Sequence, residues 1–128
     1  MKKIILVLLV FLVQPSFAQD TTATKMKEWL GVLTLTEKYK DEKNWLQQDQ
    51  IIVSDHFKRL VKYKNEGVVV LAGRTQLATN DPDMQGLVIF YAKDEKEALQ
   101  FMMDDPAVKN NIMKFKVHPY SIALNKCD

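Results

Sequence analysis

Residues 48–74 read QDQIIVSDHFKRLVKYKNEGVVVLAGR. Their first part has a helical period. Val53, Phe57, Leu60, Val61 and Lys64 recur at spacings of three and four, which predicts a helix from about Gln48 to Glu66 with that stripe inward. Gly67 follows a charged last turn, where a helix stops. Val68–Ala72 is then an unbroken apolar run, which predicts a buried central strand.

Working outward, the rest of the pattern falls into place around this helix-strand pair. Upstream, Trp29–Thr36 is rich in β-branched and aromatic residues and reads as a first strand, running on to Tyr39 before the charged stretch Lys40–Asn44. Downstream, Asn80-Asp81-Pro82-Asp83 marks a turn within 75–85, and Gly86–Tyr91 is a third strand. Asp94 is placed to cap a second helix, with Glu97 as its capping-box partner. Ala98, Phe101, Met102 and Asp105 share a face of that helix, and Pro106 ends it nearby by pushing Asp105 out of helical geometry. Met113, Phe115 and Val117 alternate with Lys114, Lys116 and His118, a fourth strand extending to about Leu124.

The order is β-α-β-β-α-β, an α+β chain of the ferredoxin-like type with two helices on one face of a four-stranded antiparallel sheet. The other face has no cover within the chain. Strands 2 and 3 are apolar on both sides, so the pattern predicts a homodimer that packs the open sheet faces together.

The chain has 128 residues, the size of one domain. Its formal charge of +2 is not evenly spread. Of the 18 Lys and Arg, Lys2 and Lys3 precede the ten apolar residues Ile4–Val13, and the 16 that remain balance the 16 Asp and Glu. A neutral domain has no surplus charge for phosphates, so the balance argues against a nucleic-acid partner and a polybasic membrane surface. Residues 1–18, with their charged start, apolar run and small Ser16 and Ala18, have the form of a secretory signal peptide cleaved after Ala18. The apolar run is half the roughly 20 residues a spanning helix needs, and Pro15 breaks it. The expected product is exported, periplasmic or secreted, and free of the membrane. It has a loose segment at 19–28, a domain at 29–124 and a tail at 125–128. Cys127, the one cysteine, allows no disulfide within the chain.

The ordered pieces Asp55-His56-Phe57-Lys58-Arg59-Leu60, Glu66–Arg74, Gly86–Ile89, Asp94–Ala98, Asp105-Pro106 and Val117-His118-Pro119-Tyr120 resemble the YCII-related family, from about Trp29 to Leu124. The resemblance implies a dimeric α+β barrel, and a site on a histidine and an aspartate that match His56 and Asp105. It does not imply one reaction, and the leader departs from the usual cytoplasmic member.

His56 lies in line with Ile52 and Leu60, at the edge of the helix–sheet interface. An imidazole titrates near neutral pH, at about 6.5 when unperturbed, which suits general acid-base work. The same position also suits a half-buried histidine bonded to a backbone carbonyl. An inward Asp105 needs a partner, because a buried unpaired charge is costly. His56 is one choice, and the backbone amides beside Pro106 are the other. Asp104 faces solvent. Arg74, beside Thr75 past strand 2, is a weaker candidate for clamping the carboxylate of a small acid, or else a surface ion-pair partner. His118 is a weaker candidate at the cleft, since Lys114 and Lys116 share its side. Two histidines without ligand spacing give no metal site. The methionines read as core filling rather than as haem contacts, and no glycine-rich phosphate loop or nucleophile elbow is present, so no cofactor is expected. Two functions compete: a small-molecule enzyme using a His56–Asp105 pair for proton transfer, and a non-catalytic dimeric module that binds a small ligand or a partner.

Overall fold

A computed structural model describes residues 25–125. The leader, its cleavage point and Cys127 lie outside the described residues. The elements are β1 (Lys27–Leu35), α1 (Glu37–Lys40), a 3-10 turn at Glu42–Asn44, α2 (Gln47–Asn65), β2 (Val69–Arg74), β3 (Gly86–Ala92), α3 (Glu95–Met103), α4 (Pro106–Lys109) and β4 (Met113–Pro119). The strands form one antiparallel sheet in the order β2-β3-β1-β4, the ferredoxin-like arrangement.

The register divides the residues between the two faces. Trp29, Leu33 and Leu35 of β1 and Val88, Phe90 and Ala92 of β3 are buried beneath the helices, with Ala98 and Met102 of α3 over them. Their neighbours Leu30, Val32, Leu87 and Ile89 point to the other face. Met102 comes so close to β1 that a Cβ at Gly31 would lie 2.7 Å from its sulfur and 2.8 Å from Val88 Cγ1. Only glycine fits there.

The helix ends follow from local chemistry. Gly67, at φ 76°, closes α2. The Gly67 N–H donates to Lys64 O, and the Val68 N–H to Tyr63 O, the paired bonds of a Schellman cap. Asn111, at φ 56°, closes α4 with the same pair of bonds from Asn111 and Ile112 to Val108 O and Ala107 O. Asp94 caps α3 by accepting from the Glu97 N–H at 2.8 Å. Glu97 reaches back one residue further than expected, to the Lys93 N–H.

Four expectations need correction. β2 is an edge strand, not a central one, and of its residues only Val69 is buried. Its apolar run serves the open face and the rim of a cavity. β1 stops at Leu35, and the α1 turn buries Tyr39 instead of continuing the strand. β4 stops at Pro119; the Tyr120 N–H still donates to Glu28 O at 3.1 Å, and the chain then turns so that the Ile122 N–H donates to the Glu28 carboxylate instead of to a further rung. On α2, Phe57 and Val61 are 65% and 42% exposed. The covered stripe is Asp49, Ile52, Val53, His56, Leu60 and Tyr63, about one residue round the helix. It includes polar side chains with partners of their own, which a count of apolar residues cannot see.

Candidate functional site

α2 packs on α4, and this contact brings together two residues 49 apart. Pro106 sets the geometry. A residue before proline is driven to extended backbone, and Asp105 has φ −69° and ψ 131°. Asp105 is therefore not on the face of α3, which ends at Met103. It is the N-cap of α4, with Pro106 at the first helical position.

Its two oxygens are divided between the two readings that the residues left open. Oδ1 accepts from the Ala107 N–H at 2.9 Å, and Oδ2 lies 2.7 Å from His56 Nδ1. A carboxylate only accepts, so Nδ1 carries the proton and donates, and Nε2 is the nitrogen left free for chemistry. The side chains of His56 and Asp105 are 12% and 3% exposed. Among the described residues no buried side-chain nitrogen or oxygen lacks a partner. Nε2, which has no hydrogen-bond partner among the described residues, is therefore open to solvent-accessible space.

Arg59 completes the cluster, and the sequence reading did not single it out. Its Nη1 lies 3.5 Å from Asp105 Oδ2, and its Nη2 donates to Phe101 O at 2.6 Å. The guanidinium stacks over Tyr63 and Phe101, 4.8 and 4.4 Å from the ring centroids. The available signal was its position three residues after His56, with aromatic residues at 63 and 101 to carry it. Asp104 behaves differently. It is exposed beside Lys109 at 3.2 Å, and its carboxyl is held below the usual range by a hydrogen bond from Gln100 and by Lys109.

His56 lines a cavity of about 650 Å³ between α2 and the β1–β3–β2 part of the sheet. The lining is mostly apolar, including Leu33, Leu60, Met84 and Val88, with Gln50, Ser54, Thr79 and Arg74 as further polar groups. This is the size and character of a small-molecule site. Arg74 pairs with Gly86 across the ladder, and Gly86 with Leu33. The helix face of the sheet thus carries Arg74, on the same side as His56.

His118 is not at this site. It pairs with Leu30 on the opposite, open face of the sheet, exposed beside Lys116 in β4. The alternation of β4 put it there: Phe115 and Val117 face the core, so His118 cannot. Among the described residues no three His, Cys, Asp or Glu side chains are grouped as metal ligands, and no helix is long and apolar enough to cross a membrane.

A sequence profile of the YCII-related domain matches residues 32–120, from the middle of β1 to the end of β4. A search of curated proteins returned no match.

Proposed function

The chain belongs to the YCII-related domain family, and on that premise we propose that it is a small-molecule enzyme in which His56 moves a proton and Asp105 holds it in the working tautomer. The observation that carries this reading is the 2.7 Å contact from His56 Nδ1 to Asp105 Oδ2 at the wall of the 650 Å³ cavity. With Nδ1–H committed to the carboxylate, Nε2 presents a lone pair to the cavity. It can take a proton from a bound carbonyl compound, or from water attacking a lactone-like ester, and return it later in the cycle. The imidazolium formed would rest against Asp105, whose charge stabilises it.

The open sheet face supports a homodimer as the working form, and residues 1–18 support export with cleavage after Ala18. The competing reading is a dimeric binding module. The second bond of Asp105 favours it: a carboxylate that caps α4 has a structural task of its own.

Solvent deuterium exchange separates the two. A panel of small carbonyl acids and lactones is incubated with the protein in heavy water and followed by NMR for exchange and ring opening. The proposal expects turnover of at least one compound, abolished in His56→Ala while the variant still melts cooperatively as a folded domain. Equal turnover in His56→Ala would remove the histidine from the chemistry.

A further inference from the structure

The charge pattern of the cavity points to its ligand. The residues that line it include no aspartate or glutamate and a single cation, Arg74. Among the described residues the Arg74 side chain enters no ion pair, hydrogen bond or ring contact, although that of the other arginine, Arg59, has all three.

The backbone that carries Arg74 is fixed. Arg74 pairs with Gly86 as the last rung of β2–β3, and Thr75 locks the ladder just beyond it. The Thr75 N–H donates to Gln85 O at 2.9 Å, and the Gln85 N–H donates to Thr75 Oγ1 at 3.0 Å. Gly86 opposite has no side chain, which leaves the floor between Arg74 and Leu33 open. A guanidinium without a partner thus stands on a rigid strand end, over an apolar hollow, on the His56 side of the sheet.

We infer that the cavity takes a small organic acid, with an apolar body against Leu33, Leu60, Met84 and Val88 and one carboxylate paired with Arg74. One planar guanidinium matches one carboxylate, two bonds to two oxygens. A phosphate would call for more donors than this lining offers. The inference rests on reading the cavity as a ligand site, and it names the class of substrate His56 would meet.

Calorimetric binding of phenylacetate, its neutral isostere phenylacetamide and inorganic phosphate tests it without any reaction. The protein should bind the acid about tenfold or more tighter than the amide, and phosphate more weakly than the acid. Arg74→Gln should abolish the acid preference with an unchanged melting temperature, because the side chain is exposed. Arg74→Lys should keep part of it, and Lys116→Ala, on the opposite face of the sheet, should keep all of it. Equal binding of acid and amide, no acid binding at millimolar concentration, tighter binding of phosphate, or a preference that survives Arg74→Gln or is lost in Lys116→Ala overturns the inference. Turnover plays no part in these readings, so a failure here leaves the proton-transfer role of His56 standing, and the reverse holds too.

Discussion

His56 and Asp105 meet at 2.7 Å, Nδ1 to Oδ2, because one proline shapes the backbone of the aspartate. Pro106 makes Asp105 extended, and so makes it a cap. The cap fixes Oδ1 on the Ala107 N–H, and only Oδ2 is left to receive the imidazole. The bond that caps α4 and the bond to the imidazole share one carboxylate. Each makes the other more rigid, which is how a site on a short helix holds its geometry.

Asp105→Asn is the sharpest test of this division. An asparagine can keep Oδ1 on Ala107, but its amide then donates toward His56 Nδ1. The ring proton would move to Nε2, and the base facing the cavity would be lost. Turnover should fall about a hundredfold or more, while stability changes by no more than about 1.5 kcal/mol. Asp105→Ala removes the cap as well and strands Arg59, so it should cost about 2–4 kcal/mol. Urea unfolding beside an activity assay reads both numbers. Full turnover in the asparagine variant would mean that the tautomer does not matter.

Arg59→Met keeps the aliphatic stem over Tyr63 and Phe101 and removes the charge. Phe101 O loses its donor, and Asp105 Oδ2 loses the guanidinium at 3.5 Å. The expected stability loss is about 2 kcal/mol. Because Oδ2 of Asp105 is then left to His56 alone, kcat should drop with KM little changed. Arg59→Lys restores charge but not the planar fork, and should fall between the two. A variant that loses stability with an unaltered kcat would limit Arg59 to packing.

The order of strands and helices along the chain and the meeting of His56 with Asp105 were legible before any coordinates, because each depends on a local rule. Period-two alternation placed β4 and its Lys–His side. Pro106 marked the bend at Asp105, and the spacing from Ile52 to His56 to Leu60 turned the histidine inward. What was not legible depends on partners distant in the chain. Phe57 and Val61 fit an apolar stripe, yet they are outside it, because Asp49, His56 and Arg59 occupy part of the covered face with their polar groups paired. Val68–Ala72 looked central because an edge strand whose open face and cavity rim are apolar has the same composition as a buried one. His118 and His56 differ in face, not in chemistry, and only the register separates them.

Gly31→Ala and Gly86→Ala form a matched pair that tests the packing of β1 and β3. At Gly31 the new methyl group would meet Met102 and Val88 at under 3 Å, in the tightest part of the core. Overpacking of this kind costs about 1–3 kcal/mol, seen as a melting temperature about 4–8 °C lower per kcal/mol in a domain of this size. At Gly86 the nearest atom, Leu33 Cβ, is 3.5 Å away, an ordinary contact. That change should be neutral or slightly stabilising, since alanine restricts the unfolded chain. Thermal melts of the two side by side check the contrast, and equal losses would contradict the close approach at Gly31.

The open sheet face makes the strongest demand for a partner. Antiparallel sheets that face water carry polar residues there, but the middle of this face does not. One cross-strand row runs His118, Leu30, Ile89, Leu71, and the next runs Lys116, Val32, Leu87, Gly73. Within these two rows only the β4 end is polar, while Leu71 at the other edge is 55% exposed. A second copy packed on this face would bury both rows and leave the β4 lysines at the rim. Light scattering at micromolar concentration should give twice the chain mass. Ile89→Lys places a charge at the centre of the row without touching the helix-side core, so it should give a folded monomer. Lys116→Ala, at the rim, should leave the dimer intact. A wild-type protein that is monomeric under these conditions would show that the apolar rows are tolerated in water, and the face-to-face arrangement would have to be abandoned.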